Sequence, residues 1–202
     1  MPFGEDRLSS QINFVMEAEK VTRIMRQNLV CDASRRENDA EHSWHVAMMA
    51  AVLSEYAVTD TIDILRVIKM LLVHDVVEID AGDTFVYDDE GMKDKRERET
   101  KAAERIFSIL PPEQRDEMLE LWEEFEAGQS AEAAFAAALD RLSPLLHNYA
   151  TEGGPWKEHG ISHERVLARN AHIEKGAPRL WKYAKALIDD AAEKGYMKRA
   201  DR

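Results

Sequence analysis

Apolar residues along this chain recur at three- and four-residue intervals, with few alternating β-branched runs, which is the pattern of helices that bury one face. Val46, Met49, Ala50 and Leu53 keep this spacing, as do Ile62, Leu65, Ile68 and Leu72. Glycines and prolines read as punctuation between such segments. The pattern predicts an all-α fold with helices over 5–28, 39–57, 61–76, 92–109, 113–127, 131–150, 162–175 and 178–194. Asn38 and Glu41 have capping-box spacing at the start of the second helix, and Thr59 or Asp60 is placed to cap the third. GDTFVYDDEG, 82–91, reads as a loop or short turn, Pro111-Pro112 as a break, and TEGGPWKEHG, 151–160, as the clearest connection. The alanine-rich AEAAFAAAL, 131–139, suggests close helix packing.

With 202 residues, 45% of them hydrophobic, the chain can build one substantial core, so a single domain over 1–202 is expected. The opening MPFGEDRLSS has neither a basic region nor an apolar stretch, and no run approaches the roughly 18 apolar residues of a membrane span. A soluble cytoplasmic protein without a membrane partner is the expectation. Cys31 has no second cysteine to pair with and reads as a small, half-buried side chain. A net charge of −12 argues against a nucleic-acid surface. KDKRERETKAAER, 93–105, offsets its basic residues with acids and reads as a solvated helix face. An anionic ligand would therefore need a locally positive site.

The candidate chemistry starts in MLLVHDVVEIDAGDTF, 70–85, where an apolar run leads into His74-Asp75 and then Glu78, Asp80 and Asp83. Carboxylates beside core residues must be paired, solvated or coordinated. EHSWH, 41–45, adds His42 and His45 on one helix face. Asp140 lies among alanines and leucines in FAAALDRLSPLL, and Arg141 beside it points about 100° away, a poor direct partner. A metal or an arginine from another helix would each compensate Asp140. Two imidazoles and two carboxylates, His42, His74, Asp75 and Asp140, suit one divalent transition metal (Mn, Fe, Co, Ni or Zn) and leave coordination positions for water.

In this order, EHSWH, LLVHDVVEIDAGD and ALDRL resemble the HD superfamily of metal-dependent phosphohydrolases, within the branch that includes the 5′-deoxynucleotidases. SRRENDAEHSW and HDVVEIDAGDTF carry the likeness to that branch. The resemblance implies a helical HD domain whose metal site, built by several helices, uses His42, His74, Asp75 and Asp140. His45 is then a packing residue or a support to the ligands. Glu78 looks like a proton-transfer residue and Asp83 like an acid of the substrate pocket. An arginine on the first helix should bind phosphate; Arg26 is preferred, with Arg23, Arg35 and Arg36 as alternatives, because VCDASRR lengthens the chain before EHS. Asp80 is left as a surface acid and His147 as a structural histidine.

The expected function is hydrolysis of (deoxy)nucleoside 5′-monophosphates to nucleoside and phosphate by a homodimer. Alternatives are another phosphate ester (an alarmone, a cyclic dinucleotide or a deoxynucleoside triphosphate) or a regulatory module that binds metal or nucleotide without turnover. HDVVE lacks the adjacent Glu-Asp pair of the alarmone hydrolases, and no GYP segment is present. Trp44, Trp122, Trp156 and Trp181 read as core or interface anchors, with Trp122 and Trp181 the candidates for an interface.

Overall fold

The computed structural model describes residues 6–198. Asp6 accepts a hydrogen bond from the Ser9 backbone N–H at 2.8 Å and so opens α1, Arg7–Ala18. The expected helix over 5–28 begins at a residue outside the described ones, and it ends early. A 3-10 turn, Glu19–Arg23, leads into β1, Met25–Leu29, which pairs antiparallel with β2, Arg36–Asn38. The VCDASRR insertion is the hairpin connection: Val30 N–H donates to the Arg35 carbonyl at 3.0 Å and Ala33 N–H to Val30 at 2.8 Å. Arg26 is therefore a strand residue rather than a helix residue. Cys31, on this turn, is exposed and not half-buried.

α2, Asp39–Leu53, starts from Asn38 with both halves of the capping box present. α3, Ile64–Val73, is capped by Asp63, whose Oδ1 accepts from the Arg66 N–H at 3.0 Å; neither Thr59 nor Asp60 caps it. The backbone then tightens into a 3-10 turn, His74–Val77, followed by α4, Glu78–Ala81. Gly82 ends that turn at φ 75°, where any side chain would be strained. After the 82–91 loop come α5 (Lys95–Phe107), α6 (Pro112–Ala127) and α7 (Ala131–Ala150). α8 (Gly154–Glu158) lies within the expected connection. The single helix expected over 162–175 is two, α9 (His163–Asn170) and α10 (Ile173–Gly176), before α11 (Pro178–Glu193). The fold is all-α apart from the ribbon, which supplies the only strands among the described residues. No described helix is long and apolar enough to cross a membrane.

The core forms around α7, where Ala133, Phe135, Ala136, Ala138 and Leu139 are fully buried. Alanines there let neighbours close in: a Cβ on Gly176 of α10 would sit 2.0 Å from the Ala134 carbonyl oxygen, so the crossing requires glycine. A Phe135→Ala variant is expected to lose about 3–5 kcal/mol in urea denaturation, since a cavity would open at the centre of this packing. A loss below about 1 kcal/mol would show that the neighbours collapse into the space. Trp122 and Trp156 are buried in the core, so Trp122 is not an interface anchor, whereas Trp44 is exposed.

Candidate metal centre and active site

Three local irregularities bring the chemistry together. The capping box turns the chain from β2 into α2 and sets His42 one turn inside that helix, fully buried. The 3-10 turn after α3 presents His74 and Asp75 side by side. In α7, Pro144 lies inside the helix and has no N–H to give the carbonyl of Asp140, four residues earlier. The expectation that prolines fall between helices fails here: the helix runs on through Pro144 and lacks one backbone hydrogen bond at the residue whose carboxylate enters the site.

His42 Nε2 lies 2.9 Å from Asp140 Oδ1, and His74 Nε2 lies 3.6 Å from the same oxygen and 3.0 Å from Asp75 Oδ1. His42, His74 and Asp140 each offer a ligand atom within 4.8 Å of the others. Asp75 closes the group, its Oδ2 3.9 Å from His42 Nε2. His74 Nδ1 is 2.9 Å from the Leu71 carbonyl, which accepts its proton and turns Nε2 towards the carboxylates, where it is buried without a hydrogen-bond partner. His42 Nδ1 faces Glu37 Oε2 at 3.7 Å, so a carboxylate stands behind this imidazole too. The donor set fits a divalent ion: two imidazole nitrogens and two carboxylates converge, and one nitrogen is orphaned unless something binds it.

The electrostatics agree with that fit. Burial, and then the Arg26 charge, lower His42 to about 4, so it is a neutral imidazole. Burial works against protonation of His74 as well, but Asp75 and Asp140 outweigh it and hold it at about 8. Burial would raise Asp140, yet the hydrogen bond with His42 and the neighbouring His74 hold it well below the usual carboxylate range.

Next to this group lies a second layer of acids. Burial, then the charges of Asp75, Asp39 and Asp83, push Glu78 well above its ordinary range; its Oε2 is buried and unpartnered. Asp39, Asp75 and Glu78 also place ligand atoms within 4.8 Å of one another. Arg26 Nη1 donates to Asp75 Oδ2 at 2.9 Å and to Asp39 Oδ1 at 3.2 Å, and its Nε is 3.7 Å from Glu37 Oε2. Of the four candidate arginines, Arg26 alone reaches the cluster: Arg23 pairs with Glu19, Arg35 with Glu41 and Arg36 with Glu158 at the surface. A cleft running from Arg26 is lined by Asp83, Thr84, Phe85, Tyr87 and Arg141. Burial raises the Asp83 carboxyl.

Three residues of this arrangement escape sequence reasoning. Glu37 and Asp39, both buried, are not singled out there. Burial raises each to about 7. Their only signal is the density of acids in RENDAEH. Arg141, set aside on helical geometry, reaches back so that its Nε is 3.7 Å from Asp140 Oδ2. Asp80 points away and pairs with Arg105, whose Nη2 donates to Asp80 Oδ1 at 2.9 Å.

Comparison with known proteins gives this arrangement its family. The HD domain model matches residues 18–181, and the chain belongs to the HD-domain family. Among curated relatives, the human 5′-deoxynucleotidase HDDC2 is 33% identical over 138 residues, 68% of this chain and 66% of the human protein. The zebrafish (Danio rerio) protein of the same name is 29% identical over 152 residues, covering 73% of this chain and 74% of its own. The chain thus spans about two thirds of the length of the human relative. A crystal structure from Magnetospirillum magnetotacticum MS-1, described as a predicted metal-dependent phosphohydrolase, superimposes with a TM-score of 0.92 at 55% identity, covering 97% of this chain and 98% of that one. A conserved hypothetical protein from Pyrococcus furiosus, 22% identical with a TM-score of 0.63, shares the fold; it covers 90% of this chain and 99% of its own.

Proposed function

We propose that the protein is a metal-dependent phosphomonoesterase of the 5′-deoxynucleotidase type, converting (deoxy)nucleoside 5′-monophosphates to nucleoside and phosphate. The observation that carries the reading is the juxtaposition of a buried, unpartnered His74 Nε2 facing Asp140 and Asp75 with an arginine-lined cleft. The names of the curated relatives support the substrate class. His42, His74, Asp75 and Asp140 would hold one divalent transition metal. Such an ion supplies positive charge for a phosphate oxygen and acidifies water.

The chain's own residues do the remainder. Arg26, held in place by Asp75 and Asp39, presents its guanidinium at the head of the cleft and offsets phosphate charge. Arg141 lines the same cleft and adds a second cation. Asp83, also on the wall, offers a hydrogen-bonding carboxyl to the nucleoside part. Glu78 holds a proton in a water-poor setting and passes it to the leaving 5′-oxygen. A cytoplasmic location and a homodimer belong to the same proposal. The exposed apolar row Trp44, Met48 and Val52 on α2 supports the dimer, and concentration-dependent light scattering tests it.

The deciding experiment strips the protein of metal, reloads it with Mn2+ or Co2+ and offers a nucleotide panel. Release of inorganic phosphate from deoxynucleoside monophosphates is the expected result; stable nucleotide binding without release would make the protein a sensor. Triphosphates should be poor substrates, because two further phosphates bring negative charge into a site already crowded with Asp39, Asp75, Glu78 and Asp83. Comparable rates on deoxynucleoside triphosphates would move the assignment to triphosphate hydrolysis.

A further inference from the structure

Behind His42, on the side away from the cleft, lies a second group of metal-ligand side chains that the chemistry above does not use. Glu37 from β2, His45 from α2 and His147 from α7 each place a ligand atom within 4.8 Å of the other two. The two imidazoles lie face to face, with centroids 5.2 Å apart and planes within 11°. His147 Nδ1 is 3.5 Å from Glu37 Oε1, and Ser143 Oγ, 3.1 Å from His45 Nδ1, orients the His45 ring. Glu37 and His147 are 2% and 5% exposed. Even so, His147 Nδ1 and Glu37 Oε2 are buried without hydrogen-bond partners. A buried polar atom left bare is costly, and His147 Nδ1 is turned towards Glu37 Oε1, the oxygen through which Glu37 would join the two imidazoles on one ion. All three residues line an open cavity of about 580 Å³, which gives an ion an entry path and water for its remaining positions.

We propose that Glu37, His45 and His147 form a second divalent-metal site, of the two-imidazole, one-carboxylate class that suits Zn2+ or Co2+. Glu37 links it to the first group. Its Oε2 lies 3.7 Å from both His42 Nδ1 and Arg26 Nε, while its Oε1 faces His147. An ion here fixes the carboxylate that stands behind His42 and Arg26.

Titration of the metal-free full chain with Co2+, followed by visible absorption and by metal analysis after equilibrium dialysis, tests this. The wild type is expected to bind at least two equivalents per chain. His147→Ala and His45→Ala should each bind one fewer than the wild type, with circular dichroism unchanged, while Asp140→Asn keeps the absorption bands that the two histidine variants lose. His45 is only half-buried, so His45→Ala decides the matter if His147→Ala does not fold. Equal stoichiometry in the wild type and both histidine variants would overturn the second site. Full stoichiometry in Asp140→Asn would instead fault the first site, so the two failures are separable.

Discussion

Asp140→Asn is expected to strip the protein of its first-site metal and its phosphatase activity while leaving the helical fold in place. Asp140 Oδ1 sits 2.9 Å from His42 Nε2 and 3.6 Å from His74 Nε2, so one oxygen serves both imidazoles. An amide oxygen can still accept from His42 and keeps the side chain's shape, which is why the fold should survive. It carries no charge, and it is a poorer ligand for a divalent ion. The affinity loss should exceed the roughly 10–100-fold that follows removal of a mere supporting partner. Arg141, which loses its neighbour in the variant, is partly exposed and can turn to water. Metal analysis after dialysis, circular dichroism and phosphate release measure the three consequences. Unchanged metal content would remove Asp140 from the ligand set.

The sequence carries clear marks of the scaffold around this residue and few of the ribbon beside it. α2 announces itself through Asn38, Glu41 and a regular apolar face, and the alanine run of α7 through its composition, because burying an apolar stripe leaves a period to read. β1 and β2 leave none. Arg26 and Asn28 on β1 and Glu37 on β2 direct polar groups inward, so no apolar alternation appears, and the 3-10 turn before them continues the periodicity of α1 into a false long helix. The same cause hides Glu37 and Asp39. A buried acid is legible only through what surrounds it in space, and their surroundings come from Arg26, His42, His147 and Asp75 on four different elements. His74, Asp75 and Asp140 of the first group stand out for the opposite reason: each is a polar residue set into or closing an apolar stretch, and such exceptions to a pattern are visible in one dimension.

Glu78→Ala should separate binding from turnover. Glu78 is 5% exposed and begins α4 one residue after the His74–Val77 turn, and its Oε2 has no partner. Removing it relieves a crowd of carboxylates, so the variant should fold, keep its first-site metal and bind nucleoside monophosphate as well as or better than the wild type. Turnover should fall by roughly the 10²–10⁴-fold typical of a lost general acid or base. Asp39, the nearest rival, is tied to Arg26 Nη1 at 3.2 Å. Asp80→Ala is the internal control. Its partner Arg105 also donates to Glu17 at 2.7 Å and stays paired, so stability should change by about 0.5 kcal/mol or less, with the rate unaltered. Equilibrium binding, metal analysis and single-turnover phosphate release on both variants give the answer. Near-normal turnover in Glu78→Ala would exclude it from proton transfer. Loss of metal together with turnover would make Glu78 a ligand, grouped with Asp39 and Asp75 as its position within 4.8 Å of both allows, and the proton for the leaving oxygen would then have to come from solvent.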